Sequence, residues 1–332
     1  MDKQKYLKRI NFEETEVIAN LKNLSNLQKF HLLHIPFENL DIHWKRPILL
    51  DTNKFYSKII AEKRGGFCYE LNGLFNELLK EIGFQTKIIS ARVFGRDGNF
   101  GAEYDHLAIL AKIGDEEFLV DVGFGDFAAE PLKFVLDIEQ IDKNGTFLIR
   151  KQTDEYFEVV KKDGENWQSE YIFKDLDRNL NEFAEMCNFH QTSPQSHFTR
   201  GKLCSIMTEN GRKTLTDRMF IETKNGTKDT SYFNLYRRPA QTINLNAGFD
   251  ICKNWNMNIG VQTISKRFEA VYAAAPVEMP AYYAWNFYSS YKANKNITVF
   301  ADFKNITNEK YFEVRGYNSR RFNFMAGVTV KL

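Results

Sequence analysis

The sequence predicts an α+β protein in which helices come first, strands follow, a small mixed region comes next, and an antiparallel β segment of different character ends the chain. Three observations predict this. Apolar residues recur at helical spacing as far as Ile82, switch to a period of two from Gln85, and after about residue 230 alternate with polar residues in long, regular runs.

In the helical part, Val17, Leu21, Leu24 and Phe30 or Leu32 place a helix over Thr15–His34, and Pro36 ends it. Asp51 or Thr52 can cap a second helix running to about Glu62. Gly65-Gly66 breaks it. A third helix then spans Cys68–Ile82, with Leu71, Phe75, Leu78, Leu79 and Ile82 on one face and Gly83 as its stop. Strands are predicted over Thr86–Phe94, His106–Ile113, Glu117–Val122, Phe147–Gln152, Tyr156–Lys162 and Tyr171–Phe173. A helix over Leu176–Asn188 and short strands over Leu203–Thr208, Gly211–Leu215 and Arg218–Thr223 follow.

Residues 231–332 differ. Ile243, Leu245, Ala247, Phe249 and Ile251 alternate with polar or small residues, as do Ile297, Val299, Ala301 and Phe303. Phe322, Phe324, Ala326, Val328, Val330 and Leu332 share one face, and Tyr282, Tyr283, Trp285 and Tyr288 cluster. Such strands with aromatic ends read as membrane barrel wall. A soluble β-sandwich has the same period.

Composition bounds the function. Lys+Arg 45 against Asp+Glu 43 gives a net charge of +2, so no nucleic acid or other polyanion is expected as partner. No secretion signal or long apolar run is present, which argues for a cytoplasmic protein and makes a membrane an unlikely partner despite the barrel-like tail. Cys68, Cys187, Cys204 and Cys252 are widely spaced, without the pattern of a zinc site, so free thiols and no metal are expected.

Cys68 carries the chemistry. Gly65-Gly66 delivers this thiol to the start of an apolar helix. A helix N-terminus and a nearby imidazolium can lower a cysteine pKa into the range of about 3.5–7.5. Free N–H groups of the first turn can hold an oxyanion. His106 opens a strand and can face a cleft. Asp121 lies in an apolar stretch, where its charge is costly unless a histidine N–H satisfies it. Nucleophile, base and orienting acid follow in chain order. Taken singly, each has a structural reading, and the trio together points to acyl transfer.

These residues resemble the arylamine N-acetyltransferase family. The resemblance is carried by Arg64-Gly65-Gly66-Phe67-Cys68-Tyr69-Glu70-Leu71-Asn72, Pro36-Phe37-Glu38-Asn39-Leu40, Asp105-His106-Leu107, Val120-Asp121-Val122-Gly123-Phe124-Gly125 and Phe189–Phe198, over about residues 1–225. It implies a helical bundle (1–84) carrying the cysteine and a β-barrel-like domain (85–175) carrying the histidine and aspartate. A truncated α/β lid (176–230) would close a cysteine-protease-like core. It further implies ping-pong transfer of acetyl from acetyl-CoA to an arylamine, hydrazine or N-hydroxyarylamine. Cys68 would be acetylated, His106 would shuttle the proton and Asp121 would hold the histidine. Phe37, Tyr69, Phe94 and Phe124 form an aromatic slot or ordinary core. Gly123 and Gly125 could admit the CoA pyrophosphate. Arg64 serves substrate or cofactor anions or a structural ion pair. A papain- or transglutaminase-like cysteine hydrolase using the same trio is the alternative.

The family's closing helix does not arrive. Instead, Leu235-Tyr236-Arg237-Arg238-Pro239, Phe303–Asn308 and the final strand resemble the end of a TonB-dependent outer-membrane receptor. Residues 231–332 then read as about five strands of an incomplete barrel, joined as a fusion, frameshift or assembly artefact rather than a working transporter.

Overall fold

The computed structural model describes residues 1–14, 16–95, 97–232, 238–271, 274–314 and 317–331. Thr15 and Leu235-Tyr236-Arg237 therefore lie outside the described residues. The chain divides into two compact units, Met1–Ser231 and Tyr232–Leu332, which are described separately.

The first unit begins with α1 (Lys3–Arg9), α2 (Leu21–His34), the two-residue strand β1 (Phe37–Glu38), α3 (Leu40–His43) and α4 (Thr52–Tyr56), which runs into a π-helical turn over Ser57–Ala61. The nucleophile helix α5 is Cys68–Ile82. The strand region comprises β2 (Gln85–Val93), β3 (His106–Ile113), β4 (Glu116–Val120), β5 (Leu132–Lys133), β6 (Gln140–Asp142), β7 (Gly145–Lys151), β8 (Phe157–Asp163) and β9 (Asn166–Phe173). They form one antiparallel sheet in the order β5-β4-β3-β2-β9-β8-β7-β6. A parallel bridge from Leu136 to Ile149 draws its two ends together, so the sheet curls toward closure. Next come α6 (Ala184–Thr192), β10 (Leu203–Thr208), β11 (Gly211–Thr216), β12 (Met219–Lys224) and β13 (Thr227–Tyr232). The last four strands make a second sheet with β1, in which Phe37 pairs with Ser205.

Two apolar cores explain this layering. One packs α1, α2 and α5, through Tyr6, Leu24, Leu27, Leu71 and Phe75, onto Leu107, Ile109 and Val120 of the sheet. The other fills the curl with Ile89, Leu110, Leu119, Phe147, Tyr171 and Phe173. Alternating residues of β3 thus serve opposite cores, as a strand buried on both faces requires.

Several boundaries differ from the sequence reading. Helix α2 starts at Leu21, not near 15, because the Asn20 side chain caps it by accepting the Asn23 N–H at 2.8 Å. Helix α1 is too short to show a period, yet buries Tyr6 and Leu7. The region predicted helical from Leu176 is extended at first: Arg178 N–H donates to Ile88 O at 2.8 Å, continuing the pairing of β2. Helix α6 then runs past Asn188 to Thr192. Strand β9 is longer than its apolar part, because Asn166–Glu170 pairs with β8 across a bulge.

The second unit holds β14 (Thr242–Cys252), β15 (Trp255–Ile264), β16 (Arg267–Val271), β17 (Ala274–Met279), β18 (Tyr282–Lys292), β19 (Ile297–Lys304), β20 (Phe312–Val314), β21 (Tyr317–Asn318) and β22 (Asn323–Val330). Its main sheet has the order β14-β15-β18-β19-β22. The register stacks Leu245, Val261 and Trp285 in one row, and Phe303 and Phe324 in another. One face is therefore apolar, while Asn244, Gln262, Asn246 and Asn258 line the other. Leu245, Phe324 and Val328 are each more than 60% exposed. Among the described residues no helix is long and apolar enough to cross a membrane, which says nothing about strands.

Candidate active site

The site forms where the N-terminus of α5 meets the turn after β4. The Gly65-Gly66 stretch runs hard against β1: Glu38 N–H donates to Gly66 O at 2.8 Å, and a Cβ on Gly65 would come within 2.1 Å of Pro36 O. Only glycine permits that approach. The chain then enters α5 directly at Cys68. Phe67, the preceding residue, is extended, and its N–H is satisfied by Glu70 Oε2 at 3.1 Å.

Glu70 belongs to a buried charge cluster under the helix start. Lys58 Nζ lies 2.8 Å from Glu70 and 2.9 Å from Asp41, and Arg64 reaches Glu38 and Asp41 at 2.7 Å each. Burial pushes Glu70 up to about 7. Burial also opposes the charge on Lys58, but Glu70 and Glu38 outweigh it and hold the ammonium up. Lys58 stays charged, since it faces the carboxylates of Glu38, Asp41 and Glu70. Arg64 is thus committed to structure and stacks on Trp44, rather than offered to a cofactor anion.

Asp121 is fixed by an array of donors. Its Oδ1 accepts from Asn72 Nδ2 at 2.8 Å, Gly123 N at 2.8 Å and Phe124 N at 3.0 Å. Its Oδ2 lies 2.6 Å from His106 Nε2. Oδ1 is thus filled by three donors, and Oδ2 is the acceptor left for the ring. That assigns the Nε2 proton to the bond with Asp121 and leaves Nδ1 as the free acceptor. The His106 ring is buried and sits edge-on to Phe124 at 5.3 Å between centroids.

Asn72 was not singled out by the sequence reading. It lies four residues after Cys68, hence on the same helix face, and its Oδ1 also accepts the Val122 N–H at 2.8 Å. That spacing within the Cys68 motif was the available clue. Gly123 belongs to the same contact. A Cβ there would meet Asn72 Nδ2 at 2.7 Å and Cys68 Cα at 2.9 Å, so this glycine brings the Asp121 turn against the nucleophile. Gly125 is different: its φ of +102° needs glycine, but nothing crowds it.

Cys68, His106, Phe37, Phe124, Gly123 and Gly125 share the wall of one cleft of about 320 Å³. Tyr69 and Phe94 do not line it. Tyr69 is fully buried and donates its hydroxyl to Tyr104 O at 2.6 Å; Phe94 packs on Phe100 outside. Helix geometry explains Tyr69, since consecutive residues point about 100° apart and cannot both face the cleft. Val93 lines the cleft in place of Phe94, because neighbours on a strand face opposite sides.

The thiol departs from the sequence expectation. Burial pushes Cys68 up, and Asp105 and Asp121 add to that; the Tyr69 backbone N–H pulls the other way without prevailing. A helix N-terminus alone does not sustain a lone thiolate here. Among the described residues no cluster could hold a metal, and all four cysteines are free.

Comparisons with known proteins agree in direction. The N-acetyltransferase family model matches residues 20–252, which extends past the motif region into β14. The arylamine N-acetyltransferase of Escherichia coli K12 is 31% identical over 227 residues, covering 67% of this chain and 79% of that protein. An arylamine N-acetyltransferase / N-hydroxyarylamine O-acetyltransferase of Salmonella typhimurium is 34% identical over 206 residues, covering 60% and 73%. The Mycobacterium marinum arylamine N-acetyltransferase, solved in complex with CoA, superposes with a TM-score of 0.65 at 27% identity, covering 70% and 87%.

Proposed function

We propose, from the premise that this chain belongs to the arylamine N-acetyltransferase family, that it moves acetyl from acetyl-CoA to an aromatic amine, hydrazine or N-hydroxyarylamine through a thioester on Cys68. One observation carries this reading: Cys68 and His106, the latter bonded to the buried Asp121, line one cleft. The donor is supported by the CoA complex of the M. marinum relative. The hydroxylamine acceptors are supported by the name of the Salmonella relative. The four free cysteines support a reducing, cytoplasmic setting.

The burial of Cys68 shapes the mechanism. A lone thiolate is penalised, but transfer of its proton to His106 Nδ1 makes a compact ion pair, and Asp121 stabilises the imidazolium. The sulfur attacks the thioester carbonyl of acetyl-CoA. As the tetrahedral intermediate collapses, the C–S bond to CoA breaks and His106 returns the proton to the departing CoA sulfur. The amine then attacks the Cys68 thioester, His106 takes the amine proton, and the C–S bond to Cys68 breaks. The proton passes back to the thiol, which restores the starting state. The ring of Phe124 and that of Phe37 flank the acceptor's path as apolar surfaces.

Transfer is tested with Cys68→Ala. Loss of acetyl transfer to a simple arylamine supports the reading; full retention ends it. Cleavage of a peptide with no acetyl transfer would favour the hydrolase alternative.

For residues 231–332 we infer a part foreign to the transferase, as a fusion would leave. The supporting observation is the uncovered apolar face of its sheet, bounded by the unpaired edges of β14 and β22 among the described residues.

A further inference from the structure

A second carboxylate–imidazole pair stands beside the nucleophile, and the mechanism leaves it unused. Asp105 precedes His106 and lines the same cleft as Cys68. Its side chain is 20% exposed, and its Oδ1 lies 3.3 Å from His190 Nε2. His190, on α6, is 2% exposed.

The surrounding contacts fix the pair in place. Phe198 N–H donates to Ser196 Oγ at 3.3 Å, and the same hydroxyl lies 3.3 Å from His190 Nδ1. His190 Nε2 reaches the Asp105 backbone carbonyl at 3.2 Å as well as the side-chain Oδ1. Asp105 is thus pinned through its carbonyl and its side chain where it lines the cleft.

The backbone is built to hold it there. Tyr104 has a left-handed φ of +66° and donates its N–H to Ser90 Oγ at 2.8 Å, while the Tyr69 hydroxyl holds its carbonyl at 2.6 Å. Gly101 leaves the room: a Cβ there would lie 2.5 Å from Asp105 Oδ2. Among the described residues that line this cleft, Arg212 is engaged elsewhere, with the Gly125 carbonyl, with Ser205 Oγ at 3.2 Å and with Asp126 at 3.9 Å.

We propose that Asp105, held by His190 and accommodated by Gly101, sets the charge preference of the acceptor site, favouring aromatic amines that carry a cationic substituent and rejecting those that carry a carboxylate. This rests on the transferase reading above. The cleft is small, so a ring substituent stays within Coulomb reach of the carboxylate in a poorly screened space. Like charge placed there acts as a repulsive selector.

The test uses the full chain and two anilines that carry opposite charges at the para position, para-(aminomethyl)aniline, whose side amine is protonated, and para-aminobenzoate. The ratio of their kcat/KM values compares two acceptors of one acetyl-enzyme, so changes in Cys68 acylation cancel. The unaltered protein should favour the cationic acceptor by about tenfold or more, and Asp105→Asn should shrink that ratio by about tenfold. An Asp105→Asn variant that slows both acceptors equally overturns the proposal, since a merely structural role would do that. If the variant does not fold, the unaltered protein still decides: the preference for the cationic acceptor should weaken as salt rises, and preference for para-aminobenzoate at low salt overturns the proposal. Turnover of neither acceptor, with no acetyl on Cys68, would instead mark the failure of the transferase reading.

Discussion

Asn72 donates its side-chain N–H to Asp121 at 2.8 Å, and so ties the orienting acid to the helix that carries the nucleophile. The same amide donates to Leu107 O at 2.6 Å and accepts from Val122 N–H, which spans α5, β3 and the β4 turn. Asn72 is a positioning residue. Asn72→Ala should lower kcat/KM by about 10- to 100-fold, the range seen when a supporting hydrogen bond is removed. The protein should stay folded and its Cys68 should still acylate, slowly. A variant that is fully active, or one that loses acylation outright, would contradict this role.

The burial of Cys68 makes the thiolate depend on Asp121 through His106. Direct repulsion from Asp121 disfavours the thiolate, but the carboxylate touches the imidazole at 2.6 Å, so its support of the imidazolium is the larger effect. Asp121→Asn should therefore raise the apparent thiol pKa and slow iodoacetamide alkylation of Cys68 at neutral pH by about 100-fold. Alkylation rates across pH check this. Faster alkylation in the variant would show that repulsion dominates.

His31 gives the fold an acid weakness. Its Nδ1 accepts the Tyr6 hydroxyl at 2.8 Å, and burial first, then the charge of Arg9, lower its pKa from 6.5 to about 3. Between those values the unfolded chain binds a proton that the folded chain refuses. Stability thus falls as pH drops below 6.5, by up to about 1.4 kcal/mol per pH unit. His31→Gln keeps an acceptor for Tyr6 and should flatten that slope in urea melts taken between pH 7 and pH 4, at some cost at neutral pH. An unchanged slope would assign the acid sensitivity to other groups.

Much of this was legible in the sequence, for stated reasons. Helix α5 agrees with the reading of about Cys68–Ile82 because Gly66 and Gly83 bracket a strong apolar period. The positions of Cys68, His106 and Asp121 were readable because each sits at the end of an element, where a side chain can reach a cleft. Other features depend on contacts made by distant residues. Arg64 meets Glu38 and Asp41 only once β1 and α3 fold against the loop that precedes α5. Tyr69 and Phe94 looked like slot residues by composition, yet their helix and strand phases turn them away. Cys68 shares its cleft with Leu203 and Ser205 of β10 and Thr214 of β11, residues far away in the chain, a setting that local sequence cannot show.

The central claim is that the sulfur of Cys68 carries the acetyl group. Intact-mass and peptide-mass analysis of the full chain after brief exposure to acetyl-CoA tests it most directly. The account predicts one added acetyl group, located on Cys68, released by hydroxylamine or by an aromatic amine, and absent from Cys68→Ser. An unmodified Cys68, with acetyl appearing on another residue or with amine acetylated by the Cys68→Ser variant, would contradict it.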